Sequence, residues 1–322
     1  MLEIYKIPVH TPYPVGPVNA YLVKNQPYTL VDPGPETAEA KQSLAEGLAS
    51  LGVDIKDISR VVLTHSHTDH SGLARWLSEI AGAQIYVHRF EVRKLTLDYD
   101  FYQERLSFFQ EAGMPTEALK EILNDNDAVG KPVLPDTGVT ILSGGETLKF
   151  EGGALLTLHM PGHSDGHICL YDQDGMCLLA GDFILKHISP NPNMEPDPGN
   201  FTKRLPTLKQ YLGGLDLLEN LKPRLILPGH GKNIENGLES VKKAREHHKE
   251  RLNLMTSVLE NNSHSVYQLM RFYYPQISGF EIYLGISEVF AHVDYLLAEG
   301  RIIKKNSYGI SLFQRQAGCE NS

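Results

Sequence analysis

Short apolar runs, each cut off by Gly, Pro or Asp, dominate the first 230 positions. Residues 2–9 alternate in strand fashion, 19–24 and 28–31 read as a hairpin pair, and 60–64 (Arg60-Val61-Val62-Leu63-Thr64) as a short buried strand. The same pattern recurs at 84–88, 139–142, 147–150, 154–159, 168–171, 176–180 and 224–227. Helical periodicity fills the gaps. It runs over 36–51 before Gly52, over 73–81 between a capping Ser71 and Gly82, over 203–221, and along a charged stretch at 235–260. Strands alternating with helices place the chain in the α/β class. The stretch 90–126 differs: it is helical in pattern and rich in aromatics, and reads either as a wall over a pocket or as core packing. After Asn261-Asn262-Ser263 come two helices (265–274 and 287–299) and a hairpin (301–313); 316–322 reads as a disordered tail.

One loop stands apart. Thr64-His65-Ser66-His67-Thr68-Asp69-His70-Ser71-Gly72 puts four metal-capable side chains within six residues at the carboxyl end of a strand. In an extended segment His65 and His67 point the same way and can share one ion. As the chain turns into a helix, Asp69 and His70 swing toward a second position, about 3.5–4 Å from the first in two-metal sites. Imidazole and carboxylate without thiolate suit zinc, and also manganese or iron. A merely histidine-rich polar loop is the plainer alternative. Against it, three more strands end in punctuated loops bearing His163, Asp182 and His230. Asp32, before Pro33-Gly34, lies at the same edge and either orients a ligand histidine or simply forms the turn. His167 is an orienting group or a structural histidine. His187 reads as a surface or substrate-facing residue, His247 and His248 as solvated, and His88 has no motif behind it.

Composition narrows the field. The 322 residues can hold one large α/β domain and a smaller module, and a net charge of −9 argues against general attraction to nucleic acid or anionic membrane. No run of eighteen apolar residues or signal-peptide pattern is present, so a cytoplasmic location is expected. Cys169, Cys177 and Cys319 are too scattered for a disulfide framework, and the first two read as packing. A homodimer is the default assembly.

The order His65-x-His67-x-Asp69-His70, then His163, Asp182 and His230, resembles the metallo-β-lactamase superfamily over residues 2–238. Within it, the chain looks like the branch containing glyoxalase II and β-lactamase-like protein 2. From His264 on, notably Ala291-His292-Val293-Asp294-Tyr295-Leu296 and Glu299-Gly300-Arg301, the chain resembles that group's winged-helix tail. The resemblance implies an αββα sandwich over 1–262 with a helical insertion at about 90–126, and a winged-helix module over 263–316. It implies two divalent ions, zinc first with manganese or iron accepted. His65, His67 and His163 would hold one, Asp69, His70 and His230 the other, and Asp182 would bridge. Asp69 would be catalytic, orienting a bridging hydroxide and passing its proton to the leaving group.

The expected reaction is hydrolysis of a small ester, thioester or lactone-like substrate. The main rival is a single-strand-specific endoribonuclease using the same ions. The helix at 287–299 carries no Lys or Arg, which argues against reading DNA and against a metal-sensing transcription factor. A secreted β-lactamase, a flavin-linked diiron protein and a single-iron dioxygenase fit less well.

Overall fold

A computed structural model describes residues 1–125, 131–187 and 190–316. In chain order the strands are β1 (Ile4–Val9), β2 (Val18–Val23), β3 (Thr29–Val31), β4 (Arg60–Val62), β5 (Gln84–His88), β6 (Val139–Leu142), β7 (Thr147–Phe150) and β8 (Gly153–His159). They continue with β9 (Ile168–Asp172), β10 (Cys177–Gly181), β11 (Pro196–Asp197), β12 (Asn200–Arg204), β13 (Leu225–Pro228), β14 (His264–Ser265), β15 (Ile302–Ser307) and β16 (Ile310–Arg315). The helices are α1 (Ala38–Ser50), α2 (Thr68–Ser71), α3 (Ala74–Ala81), α4 (Arg89–Val92), α5 (Leu106–Glu111), α6 (Thr116–Asp125), α7 (Thr207–Leu221), α8 (Gly237–Val258), α9 (Val266–Tyr273) and α10 (Phe280–Ala298).

Two sheets, ordered β1-β2-β3-β4-β5-β6 and β13-β10-β9-β8-β7, pack face to face. Period-two alternation decides what each face buries. Tyr21 and Val23 of β2 meet Cys177 and Leu179 of β10 in the core between the sheets. Ala20 and Leu22 point the other way, onto Leu44 and Leu48 of α1 and Leu77 of α3. Leu178 and Ala180 face Tyr211, Leu215 and Leu218 of α7 and Val241 of α8. The result is the helix–sheet–sheet–helix sandwich expected from the sequence. Cys169 and Cys177 are both free and buried, in the outer and inner layers respectively. Cys319 lies outside the described residues.

Several boundaries differ from expectation. The helix expected from 203 begins at Thr207, because Asn200–Arg204 pairs with Pro196–Asp197 as a strand. The helix expected from 287 begins at Phe280, behind Gly279, a residue with positive φ. The insertion is broken into short helices, and the described residues stop short of its expected end at Asn126. His248, expected in solvent, is buried: its Nδ1 lies 3.1 Å from Nε2 of His292, whose own Nδ1–H donates to the Glu288 carbonyl at 2.7 Å. Apolar neighbours on α7 and α10 cover that face of α8, which α8's own charged composition cannot reveal.

The insertion and the C-terminal segment share one core. Phe108, Phe109, Ala112, Ala118 and Ile122 pack with Leu269, Ile282, Ile286, Phe290, Leu296 and Phe313, and Phe101 and Tyr102 lean on the same cluster. These aromatics are therefore core residues. Arg204 pins the unit together. Its guanidinium donates to both Asp294 oxygens at 2.8 and 2.9 Å and to Glu111 at 2.6 Å, and lies 3.7 Å from the Phe290 ring centre. Glu111 also accepts from Lys304 at 2.7 Å and Ser311 at 3.0 Å, joining α5 to the β15–β16 hairpin.

Burial opposes ionisation of Glu111, but hydrogen bonds and charge from Arg204 and Lys304 win and push its carboxyl down to about 2. A depressed carboxyl contributes stability above its unfolded-state value, and that contribution is lost as pH falls through the folded one. Glu111→Gln is therefore expected to lower the unfolding free energy at pH 7 by about 1–2 kcal/mol, allowing for screening at a partly open rim. It should also flatten the stability curve between pH 4.5 and pH 2. Urea titrations across that range check both effects.

Candidate metal centre

Four strand ends build the centre at one edge of the sandwich, and both sheets contribute. Leaving β4, the chain stays extended through His65 and His67 and then closes into the single turn α2. That turn carries Asp69 and His70 round to the second position. Ser71 does not cap the next helix as expected. Its hydroxyl donates to the Ser66 and His67 carbonyls at 2.9 and 3.0 Å and tightens the turn, and α3 starts behind Leu73 without a side-chain cap. From the second sheet come His163 after β8, Asp182 after β10 and His230 after β13. Gly229 permits the last approach, since a Cβ there would sit 2.3 Å from Asp182 Oδ1. The first sheet grips this loop too: Tyr21 Oη donates to the Pro228 carbonyl at 2.7 Å and the Asn19 amide to Gly229 at 2.7 Å.

All seven side chains named from the sequence converge. His67 Nδ1 lies 2.9 Å from His65 Nε2 and 3.1 Å from His163 Nε2. Metal–nitrogen bonds of 2.0–2.1 Å at a tetrahedral angle set such atoms roughly 3.3 Å apart. Asp69, His70 and His230 form a second group, and His65, His70 and Asp182 a third; in each group the ligand atoms lie within 4.8 Å of one another. Asp182 Oδ2 stands between the groups, 3.4 Å from His70 Nε2, 3.6 Å from His230 Nε2 and 3.7 Å from His163 Nε2. Asp69 Oδ2 is 3.2 Å from His230 Nε2. The cluster meets solvent chiefly through His67 and Asp69, both half-buried, while His163 and Asp182 keep only 11% side-chain exposure and His70 none.

The far nitrogen of each of four rings is held. His163 Nδ1–H donates to the Asn191 carbonyl and His230 Nδ1–H to the Pro17 carbonyl, both at 3.1 Å. His70 Nδ1–H donates to Asp32 Oδ2 at 2.9 Å. Thr64 Oγ1 donates to the same oxygen at 2.7 Å, so at 2.9 Å it accepts from His65 Nδ1–H. Each bond fixes a tautomer whose Nε2 lone pair faces the centre. Asp32 thus orients a ring in each group, and its Oδ1 accepts the Thr64 amide at 2.8 Å. It is the orienting residue, not merely a turn former.

Charge sorts the rings. Burial, then neighbouring histidines, hold His65 well below the usual range, and burial with His163 pulls His67 down to about 4. Both rings are held neutral, the state a metal ion would require of them. Burial also disfavours a charged His70, yet Asp182, Asp69 and Asp32 together raise it well above its ordinary value. The field there favours a cation. His70 Nε2, His230 Nε2 and Asp182 Oδ1 are buried without a hydrogen-bond partner, an arrangement costing about 1–3 kcal/mol per atom. Lone pairs facing one another and unpartnered atoms beside carboxylates fit a divalent cation among His65, His67 and His163 and another among Asp69, His70 and His230.

Other histidines sort as follows. His167 accepts the Asp182 amide on Nε2 at 3.2 Å, steadying the Asp182 backbone. His187 is exposed. His88 stacks on His159 at 4.2 Å, and neither belongs to the candidate groups. Sequence reasoning missed Thr64, Asn191 and Pro17, which act through a hydroxyl or a main-chain carbonyl. It could have flagged Thr64 as the hydroxyl residue just before the histidine loop, two positions past β4; a carbonyl leaves no trace in residue type.

A family model described as the metallo-β-lactamase superfamily matches residues 13–230. The chain is 31% identical over 304 residues to the probable metallo-hydrolase YqjP of Bacillus subtilis, covering 93% of this chain and 94% of that one. It is 24% identical over 237 residues to an atrochrysone carboxyl ACP thioesterase of Aspergillus fumigatus, covering 72% of this chain and 56% of the other. Among solved structures, the metallo-β-lactamase family protein TTHA1429 of Thermus thermophilus superposes with a TM-score of 0.82 at 28% identity, covering 97% of this chain and 98% of that chain. The chain belongs to the metallo-β-lactamase superfamily and is one of its metal-dependent hydrolases.

Proposed function

We propose that this hydrolase cleaves a small ester, thioester or lactone-like substrate over two divalent ions, zinc first, with manganese or iron suiting the same donors. His65, His67 and His163 would hold one ion, Asp69, His70 and His230 the other, with Asp182 shared. The observation that carries this is Asp182 Oδ2 lying within 3.7 Å of ring nitrogens from both groups. Ions held there would supply hydroxide at neutral pH and an electrophile for the acyl oxygen. Asp69, the most exposed carboxylate of the set, holds the attacking oxygen in line, takes its proton and delivers it to the leaving group.

Three features favour an acyl substrate over RNA. One similar protein is named a thioesterase. The net charge is −9. Helix α10 has no Lys or Arg, and Ile282, Ile286, Val289, Phe290, Val293 and Leu296 bury it, so it offers no basic face to phosphates. We read 263–316 as a winged-helix module, supported by the order α9, α10, β15, β16 and by the sheet β14-β16-β15. The free buried cysteines suit a reducing cytoplasm. Among the described residues no helix is long and apolar enough to cross a membrane.

Reconstituted with zinc, manganese or iron, the protein should turn over thioesters or lactones in a small acyl panel. Asp69→Asn should lower kcat at least about 100-fold, the loss typical of a proton-transfer group. Turnover of single-stranded RNA alone, or acyl turnover untouched by Asp69→Asn, sinks the reading. Asp32→Ala should weaken both ions, by about 10–100-fold each, because it frees a ring in each group. Chelator competition measures this without any substrate.

A further inference from the structure

Outside the seven converging side chains lies a buried ionic cluster that the chemistry above does not use. Glu91 of α4 is fully buried, and its two oxygens are divided between two loops. Oε2 accepts the amide of Ser66 at 3.1 Å, between His65 and His67. Oε1 accepts the amide of Gly166 at 2.7 Å, three residues past His163. The first loop leaves one sheet and the second leaves the other. Gly166 admits the carboxylate because it has no side chain: a Cβ there would come within 2.7 Å of Glu91 Cγ. Lys94, one turn on, balances the charge, with its Nζ 3.5 Å from Glu91 Oε2, 2.5 Å from Asp165 and 2.8 Å from Glu195. Arg105 donates to Glu195 at 2.8 Å and continues the cluster into the insertion.

We propose that Glu91 is a positioning residue for the ion held by His65, His67 and His163, fixing the spacing of the two loops that carry them by accepting one amide from each. The inference rests on the two-ion reading above. A carboxylate of this length supplies two acceptors at the required span, and each charge-assisted bond is stronger than a neutral one. An amide in its place keeps one acceptor and turns an NH2 group against the other N–H. Aspartate keeps the charge but falls one methylene short. Glu91 bonds the His65–His67 end of the first loop but neither turn α2, which carries Asp69 and His70, nor the His230 loop, so the effect falls mainly on one ion.

The test is zinc affinity of the full-length chain, by competition with a chromophoric chelator and by elemental analysis, for wild type, Glu91→Gln and Glu91→Asp. His163→Ala and His230→Ala serve as references for loss of each ion, and cobalt absorption reports which geometry is lost. In both Glu91 variants the three-histidine ion should weaken about 10–100-fold while the other stays within about twofold. The metal-free melting temperature should fall by a few degrees, because a buried N–H loses its acceptor, while Lys94 still holds Asp165 and Glu195 and the chain stays folded. Unchanged affinity for both ions overturns the proposal, as does equal weakening of both or failure of both variants to fold. A wild-type chain that takes up fewer than two ions overturns instead the two-ion reading on which it stands.

Discussion

One buried carboxylate organises the centre. Asp32 accepts the His70 ring, the Thr64 hydroxyl and the Thr64 amide, and through that hydroxyl it also holds His65. It does so from a left-handed backbone conformation, with φ of 53°, that a non-glycine residue avoids unless its surroundings over-determine it. Three hydrogen bonds to one charged group, all buried, are such surroundings. An anion placed there has two effects. It turns ring lone pairs toward the position a cation would take, and it raises the preference of the His70 position for positive charge.

The sandwich exists to bring two sheet edges to one point. His65, His67, Asp69 and His70 follow a strand of the first sheet, and His163, Asp182 and His230 follow three strands of the second. Neither sheet alone holds a complete set. Contacts that lock the edges together, such as Tyr21 on Pro228, therefore bear on the chemistry as well as on the fold. The helical insertion and the C-terminal segment enter the same account. They share a core with each other, and Asn191 links it to the centre: its side chain donates to Leu284 of α10 at 2.8 Å, and its carbonyl holds His163.

How much of this is legible without coordinates depends on what carries the information. The strands, their punctuated ends and the metal-capable residues on them are local properties of residue type and spacing, so their assignment and their convergence follow from the chain. The boundaries shifted for two reasons, one a local pairing and the other a core shared by segments distant in sequence. Pairing with Pro196–Asp197 makes 200–204 a strand, and the shared core extends α10 back to Phe280 and buries His248.

The sequence by itself determined the α/β class, the sheet edge where the metal-capable residues gather and the seven side chains that meet there. Each is encoded by period, turn residues and donor chemistry within a few positions. Only the tertiary structure decided what orients those side chains. A carbonyl of Pro17 or Asn191 is the same in every residue, and a glutamate such as Glu91 resembles any other until folding sets it between two loops. Position in three dimensions, rather than residue type, gives such groups their roles.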